Sequence, residues 1–340
     1  MDRRYIGHEN QLLTARRVTF RDGMSQGVQV IELRNSQGLY ATCVEDQCLN
    51  LFDFSYKGVN FAFQVKNGLV SARYFNGGAS EFNFYWPAGM MYTCGLTNVG
   101  AGGLMKDGLF YPDHGRIGVM PAQDVAIHRD DEGVTITGTV HDGGLATYHL
   151  ELQRSIRFPA NGKRIVYEDT IINREPQSVE FAILYHTNIG YPLLSPKSRV
   201  VKGKGPGYDV HNQAPLPENW ATCAEPGDHK DEELFSHGNT PDADGYGYAA
   251  MINDELGLGF YIKYHMENLP WLAHWKNMCT HDYVVGLEPG NNQVLGRDRE
   301  RANGTLQTIQ GYEKKHYRVE FGVLDGAEEI AAFEKMVNSL

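Results

Sequence analysis

The stretch Leu145 Ala146 Thr147 Tyr148 His149 Leu150 Glu151 Leu152 Gln153 Arg154 Ser155 Ile156 Arg157 Phe158 decides the fold. Ala146, Tyr148, Leu150, Leu152, Ile156 and Phe158 alternate with Thr147, His149, Glu151, Gln153, Ser155 and Arg157. Successive side chains of a strand point to opposite faces, so this period of two predicts a long strand with one wet face. Turn residues bracket it: His141 Asp142 Gly143 Gly144 before, and Pro159 Ala160 Asn161 Gly162 Lys163 after, leading into a strand-like run over 164–173. Strands joined by such short turns run antiparallel.

The same pattern recurs outward. Residues 248–252, the turn Asn253 Asp254 Glu255 Leu256 Gly257, and residues 258–266 form a second predicted hairpin, and 179–189, 282–288 and 316–324 also predict strands. Only the carboxyl end predicts a helix. Asp325 can cap it with Glu328 three residues on, and Ile330, Phe333, Met336, Val337 and Leu340 recur at helical spacing. Two long glycine-rich, irregular stretches, 77–118 and 201–245, are of the kind that carries function. No low-complexity linker or internal repeat divides the chain. The expectation is a single domain over 1–340, all-β, built as one large antiparallel sandwich with a short C-terminal helix.

Composition narrows the partners. The 340 residues, 41% hydrophobic and 21% charged, can bury a large core. A net charge of -11 disfavours nucleic acid and anionic membrane surfaces, leaving neutral or weakly charged small molecules. The N-terminus lacks an apolar signal core, and no run approaches the ~18 apolar residues of a membrane span, so a cytoplasmic location is expected. Five cysteines without a Cys-x-x-Cys pair predict buried free thiols rather than a disulfide framework or zinc site. No metal and no cofactor are predicted: the 94–103 loop lacks phosphate-cradling patterns, and the loop opening Asp242 Ala243 Asp244 Gly245 has no acid at its twelfth position. A monomer or weak homodimer is expected.

Three segments carry candidate chemistry. In Tyr283 Val284 Val285 Gly286 Leu287 Glu288 Pro289 Gly290 a lone acid closes an apolar strand, which Pro289 and Gly290 are expected to end. At such a rim Glu288 is either a solvated carboxylate or a desolvated one suited to moving a proton near neutral pH. In Val179 to Pro192, alternation sets His186 and Asn188 on one face, with Glu180 further back. The loop Tyr111 Pro112 Asp113 His114 Gly115 Arg116 adds a second histidine beside a guanidinium. The segment Leu269 to Met278 holds Trp271, His274, Trp275, Lys276 and Asn277, a composition that suits a sugar ring and its hydroxyls, or equally a buried core.

Taken together, His114 Gly115 Arg116, Tyr185 His186 Thr187 Asn188 and Gly286 Leu287 Glu288 Pro289 resemble the aldose 1-epimerase (galactose mutarotase-like) superfamily, most closely an uncharacterised branch of it. The resemblance covers nearly the whole chain in order and spacing. It implies a β-super-sandwich whose open cleft takes a monosaccharide, with no cofactor. It also implies Glu288 as base, His186 as acid and His114 as a sugar-holding residue, with Asn98, Arg116, Asn188, Trp275, Lys276 and Arg73 as further substrate-binding candidates. The sequence departs from galactose-specific members around the first histidine, and their hydroxyl-binding aspartate has no evident counterpart, so the sugar stays open. A sugar phosphate is also open, since Arg116 and Lys276 could meet a phosphate, but two cations dispersed in sequence on an acidic chain argue little for it. Two other classes stay open: a carbohydrate-binding protein without catalysis, and an epimerase or isomerase acting at another sugar carbon. Glycoside hydrolysis is disfavoured because the sequence offers one well-placed acid where that reaction generally uses two.

Overall fold

The computed structural model describes residues 3–78, 81–228 and 231–340, so parts of the two irregular stretches (79–80 and 229–230) lie outside the described residues. Its strands form a thirteen-stranded sheet, an eight-stranded sheet and a two-stranded ribbon. Every strand pairing in the ladders is antiparallel, as the short turns require. The centre of the larger sheet runs Asn50–Tyr56, Met91–Leu96, Val179–Thr187, Asp282–Gly290, Trp271–Cys279. The smaller sheet runs from Ser198–Lys202 through Tyr246–Asn253, Leu258–His265, Lys314–Asp325, Arg164–Asn173, His149–Pro159 and Gly133–Gly143 to Gln123–Asp130.

The stretch that predicts the fold pairs on both edges, with Gly133–Gly143 and with Arg164–Asn173. Leu150, Leu152, Ile156 and Phe158 are fully buried in a core that also holds Leu33, Phe54, Tyr185 and Val285 from the larger sheet. Residues 145–148 do not join the strand. Ala146 has φ +57° and Leu145 is 99% exposed, so a turn consumes the first four positions of the alternation.

Arg154 occupies the inward slot between Leu152 and Ile156, where the alternation calls for an apolar side chain. It is buried against Asp169, with Nε 2.9 Å from Oδ1 and Nη2 2.7 Å from Oδ2. Its Nη1 donates to the Cys48 carbonyl at 2.6 Å and to Thr93 at 3.0 Å, and the Tyr185 hydroxyl donates to Asp169 at 2.7 Å. Cys48, Thr93 and Tyr185 come from the first half of the chain or the larger sheet, so this polar plug fastens the two layers to each other. A buried charge is tolerable only when paired and hydrogen-bonded in this way.

Tyr185 faces that core, so alternation turns its neighbours Leu184 and His186 to the other face of the larger sheet. There a separate apolar cluster gathers Phe82, Trp86, Tyr92, Cys94, Val99 and Leu184. The irregular 77–118 stretch supplies most of that cover and also contributes the strand Met91–Leu96, which the sequence reading treats as loop. Two other expectations are corrected. The strand carrying Glu288 does not stop before Pro289: it runs Asp282–Gly290 with Pro289 paired opposite Leu272, and ends only at Gly290. The helix Ala327–Ser339 buries Ile330, Phe333 and Val337, but Asp325 is not its cap. Gly326 stands there, and Asp325 instead binds Tyr56 and Lys57 at 3.0 and 2.8 Å. A short helix, Arg297–Asn303, is unanticipated because it buries Arg297 and Glu300 rather than an apolar stripe.

Cys43, Cys48, Cys94 and Cys223 are buried, Cys279 is half-buried, and none of these five forms a disulfide. Among the described residues no helix is long and apolar enough to cross a membrane.

Candidate functional site

The site is built on the seam between Val179–Thr187 and Asp282–Gly290. The bridges Leu184↔Gly290 and Ile189↔Val285 share one register, which sets His186 opposite Glu288. Glu288 is therefore not at a rim: it is 1% exposed and His186 is 6% exposed. His186 Nδ1 lies 3.3 Å from Glu288 Oε1. Neither atom completes a hydrogen bond within the protein despite this approach. Room for the carboxyl comes from Gly286, where a Cβ would fall 1.9 Å from Glu288 Oε1.

Burial sets the protonation of this pair. It raises the Glu288 carboxyl well above its usual range, with the Glu232 carboxylate adding to the effect. It lowers His186 to about 3, with His114 as the next contributor, and lowers His114 to about 4. Both shifts favour the neutral forms, so within the pair burial favours the proton on the carboxyl over the imidazole.

Around the pair lies a cavity of about 370 Å³, within the roughly 300–1,000 Å³ of small-molecule sites. His114 reaches it from its loop with φ +55°, its N–H donating to the Gly100 carbonyl at 2.9 Å and its carbonyl accepting from Gly95 at 2.8 Å. Gly115 follows because a Cβ there would lie 2.1 Å from the Gly95 oxygen. Aromatic rings enclose His186: Trp86 at 5.2 Å, His114 at 5.4 Å and Trp275 at 5.7 Å between centroids. Phe82 stacks on Trp86 at 5.5 Å. The Trp275 indole N–H donates to Glu232 at 3.0 Å.

Of the residues named from sequence, Glu288, His186, His114 and Trp275 line this cavity together. The others do not line it. Asn98 spends its amide on the carbonyls of Gly100, Ala101 and Pro112. Arg116 donates to the Tyr148 hydroxyl at 2.9 Å, beside Asp142. Asn188 donates to the Gly89 and His186 carbonyls, bracing the histidine's backbone from outside the cavity. Lys276 points to the opposite face from Trp275 and pairs with Glu233 at 2.9 Å. Arg73 lies exposed over the Tyr74 ring. The cavity instead recruits Phe82, Asn83, Trp86, Asp113, His211, Glu232 and Arg299, which the sequence reading misses. The aromatic run Phe82 Asn83 Phe84 Tyr85 Trp86 is the signal that could have found two of them. Asp113 and Glu232 supply the additional carboxylates that the sequence did not locate. Among the described residues no three His, Cys, Asp or Glu side chains are arranged to hold a metal ion.

This architecture is a galactose mutarotase-like β-sandwich. A Klebsiella pneumoniae structure provisionally named an aldose 1-epimerase aligns over 97% of this chain and 89% of its own, with TM-score 0.87 and 21% identity. A galactose mutarotase-like protein from Clostridium acetobutylicum aligns over 93% and 100%, with TM-score 0.66 and 13% identity. Galactose 1-epimerase from Lactobacillus acidophilus aligns over 92% and 99%, with TM-score 0.61 and 14% identity. At these identities the likeness is one of fold. The chain belongs to the family described as a domain of unknown function, DUF4432, whose model matches residues 25–323. No curated protein matches it.

Proposed function

We propose that the protein is an aldose 1-epimerase-like isomerase that interconverts the anomers of a monosaccharide. The observation that carries this reading is the 3.3 Å approach of His186 to Glu288 at an aromatic-walled cavity of monosaccharide scale. A sugar ring stacks its apolar face on Trp86 or Trp275, with Asp113 and Glu232 available to its hydroxyls and His114 beside the reacting pair.

Glu288 takes the proton of the anomeric hydroxyl as base, and His186 delivers one to the ring oxygen as acid. The C1–O5 bond breaks, an open-chain aldehyde forms, and rotation about C1–C2 presents its other face. Reclosure with the roles reversed returns both protons and gives the other anomer. In this direction the proton shared by the pair starts on His186, whereas burial by itself favours it on Glu288. Sugar hydroxyls donating to the carboxylate stabilise its charge and draw the proton toward the imidazole. General acid and base terms of about 10² to 10⁴ each suffice for a reaction that already proceeds in water.

The test is a panel of aldoses in deuterated water. Accelerated anomer exchange without deuterium at carbon supports this reading. Carbon-bound deuterium would instead point to an epimerase or isomerase acting at another carbon, and binding without exchange to a carbohydrate-binding protein. Because Glu232 lines the same cavity as Glu288, model glycosides belong in the panel, and release of free sugar would indicate a two-carboxylate hydrolase.

A further inference from the structure

The seam that carries His186 and Glu288 is not an ordinary antiparallel ladder. At one end Ile189 and Val285 exchange both backbone hydrogen bonds, at 2.8 and 3.1 Å. Two residues along in this register, Thr187 and Leu287 should do the same. Instead the Thr187 side chain stands in for its own backbone: Oγ1 donates to the Leu287 carbonyl at 2.6 Å and accepts the Leu287 N–H at 3.1 Å. The next position is Tyr185 opposite Pro289, and proline has no N–H to give. Beyond it the Asn291 N–H donates to the Ile183 carbonyl at 3.1 Å, but the return bond is taken by its side chain, which accepts the Ile183 N–H at 2.8 Å.

A hydroxyl inserted between two strands holds them further apart than direct pairing would. This spreading falls between the residues directly before Thr187 and directly after Leu287, which are His186 and Glu288. The Thr187 carbonyl also borders the space over Gly286 into which the Glu288 carboxyl folds, 3.2 Å from where a Cβ would stand. Thr187 is fully buried and does not itself line the cavity.

We propose that Thr187 and Gly286 are positioning residues: the Thr187 hydroxyl sets the strand separation, and the bare Gly286 leaves the space, that together hold Glu288 at working distance from His186. The inference rests on the anomerase reading for its kinetic readout. Displacing a reacting group by about 1 Å can cost on the order of 10²-fold in rate while leaving binding intact.

The experiment compares Thr187→Val, which keeps the shape but removes the hydroxyl, with Thr187→Ser, which keeps the hydroxyl. Anomer exchange is followed on the best sugar of the panel, and the His186 ring is titrated by NMR. Thr187→Val is expected to lose about 10- to 100-fold in kcat with KM within about twofold. Its His186 ring is expected to titrate differently from wild type as the Glu288 carboxyl is displaced, and Thr187→Ser to restore both properties. Wild-type kcat in Thr187→Val, or equal damage in Thr187→Ser, overturns the proposal. If Thr187→Val does not fold, Gly286→Ala carries the test, expected to lower kcat without raising KM and refuted by wild-type turnover. If wild-type protein exchanges no sugar, the anomerase reading fails. The seam is then judged on the His186 titration alone, and an unchanged titration in Thr187→Val refutes it.

Discussion

Arg154 and Asp169 meet in a two-point ion pair from which both side chains are fully shielded, and Tyr185, the residue before His186, donates the third hydrogen bond to the same carboxylate. The strand that presents His186 to the cavity is thus anchored on its other face by a charged contact buried in the core. Removing one partner strands the other charge where water cannot reach it. Asp169→Asn is expected to cost on the order of 3–5 kcal/mol in equilibrium urea unfolding. A loss below about 1 kcal/mol, the level of an exposed pair, would contradict that account of the plug.

Histidine burial gives stability a definite pH dependence. His186 and His237 are lowered to about 3, His114 to about 4, and His274 well below its usual value, chiefly by desolvation. A group buried neutral takes up its proton on unfolding, so the unfolded state binds more protons below about pH 6.5 and stability rises with pH through that window. Urea midpoints should therefore fall steadily as pH drops from about 6.5 toward 4. The slope should shrink in His237→Gln, whose ring lies 3.4 Å from His274 outside the cavity lining.

Glu288 acts with the opposite sign. Its folded-state affinity for a proton is raised, so above about pH 4.5 the unfolded chain sheds a proton that the folded chain keeps, and stability falls as pH rises toward the raised folded value. Glu288→Gln removes this term. The variant should match wild type near pH 4 and become relatively more stable at pH 7, as followed by thermal or urea unfolding at the two pH values. A variant less stable at pH 7 than at pH 4, relative to wild type, would contradict the buried neutral carboxyl.

The walls separate binding from chemistry. Trp275→Ala removes a ring 5.7 Å from His186 and the indole donor to Glu232, and should raise KM by about tenfold, near 1.4 kcal/mol, through lost stacking. Arg116→Gln should leave KM within about twofold, because its guanidinium is engaged with Tyr148 away from the cavity. Anomer-exchange kinetics across sugar concentrations measure both.

The fold was legible because strands announce themselves locally. The alternation through Leu150, Leu152, Ile156 and Phe158 follows from the pleat, and the short turns on either side, one of them at Asn161-Gly162 and the other just past the predicted Asp142-Gly143, fix antiparallel neighbours. Arg154 broke the pattern because its partner Asp169 lies on the next strand and its other partners lie in the opposite layer, contacts that no local period encodes. Glu288 and His186 could be picked out for a similar reason, since each sits in a distinctive apolar run. The cavity walls were not. Trp86, Glu232 and Arg299 come from three separate irregular or short segments, and only tertiary packing brings them together. Asn98, Arg116, Lys276 and Asn188 have side chains suited to sugar hydroxyls, yet each is consumed by a local hydrogen bond or ion pair. Composition shows what a side chain can do and is silent on whether another group already occupies it.

The central claim is that Glu288 moves the proton at the anomeric hydroxyl, and saturation-transfer NMR at the anomeric protons of an aldose panel, with wild-type and Glu288→Gln protein side by side, tests it most directly. The account predicts accelerated exchange of at least one sugar by wild type and its loss in a variant that still folds and still binds that sugar. Exchange that survives Glu288→Gln at the wild-type rate would contradict it.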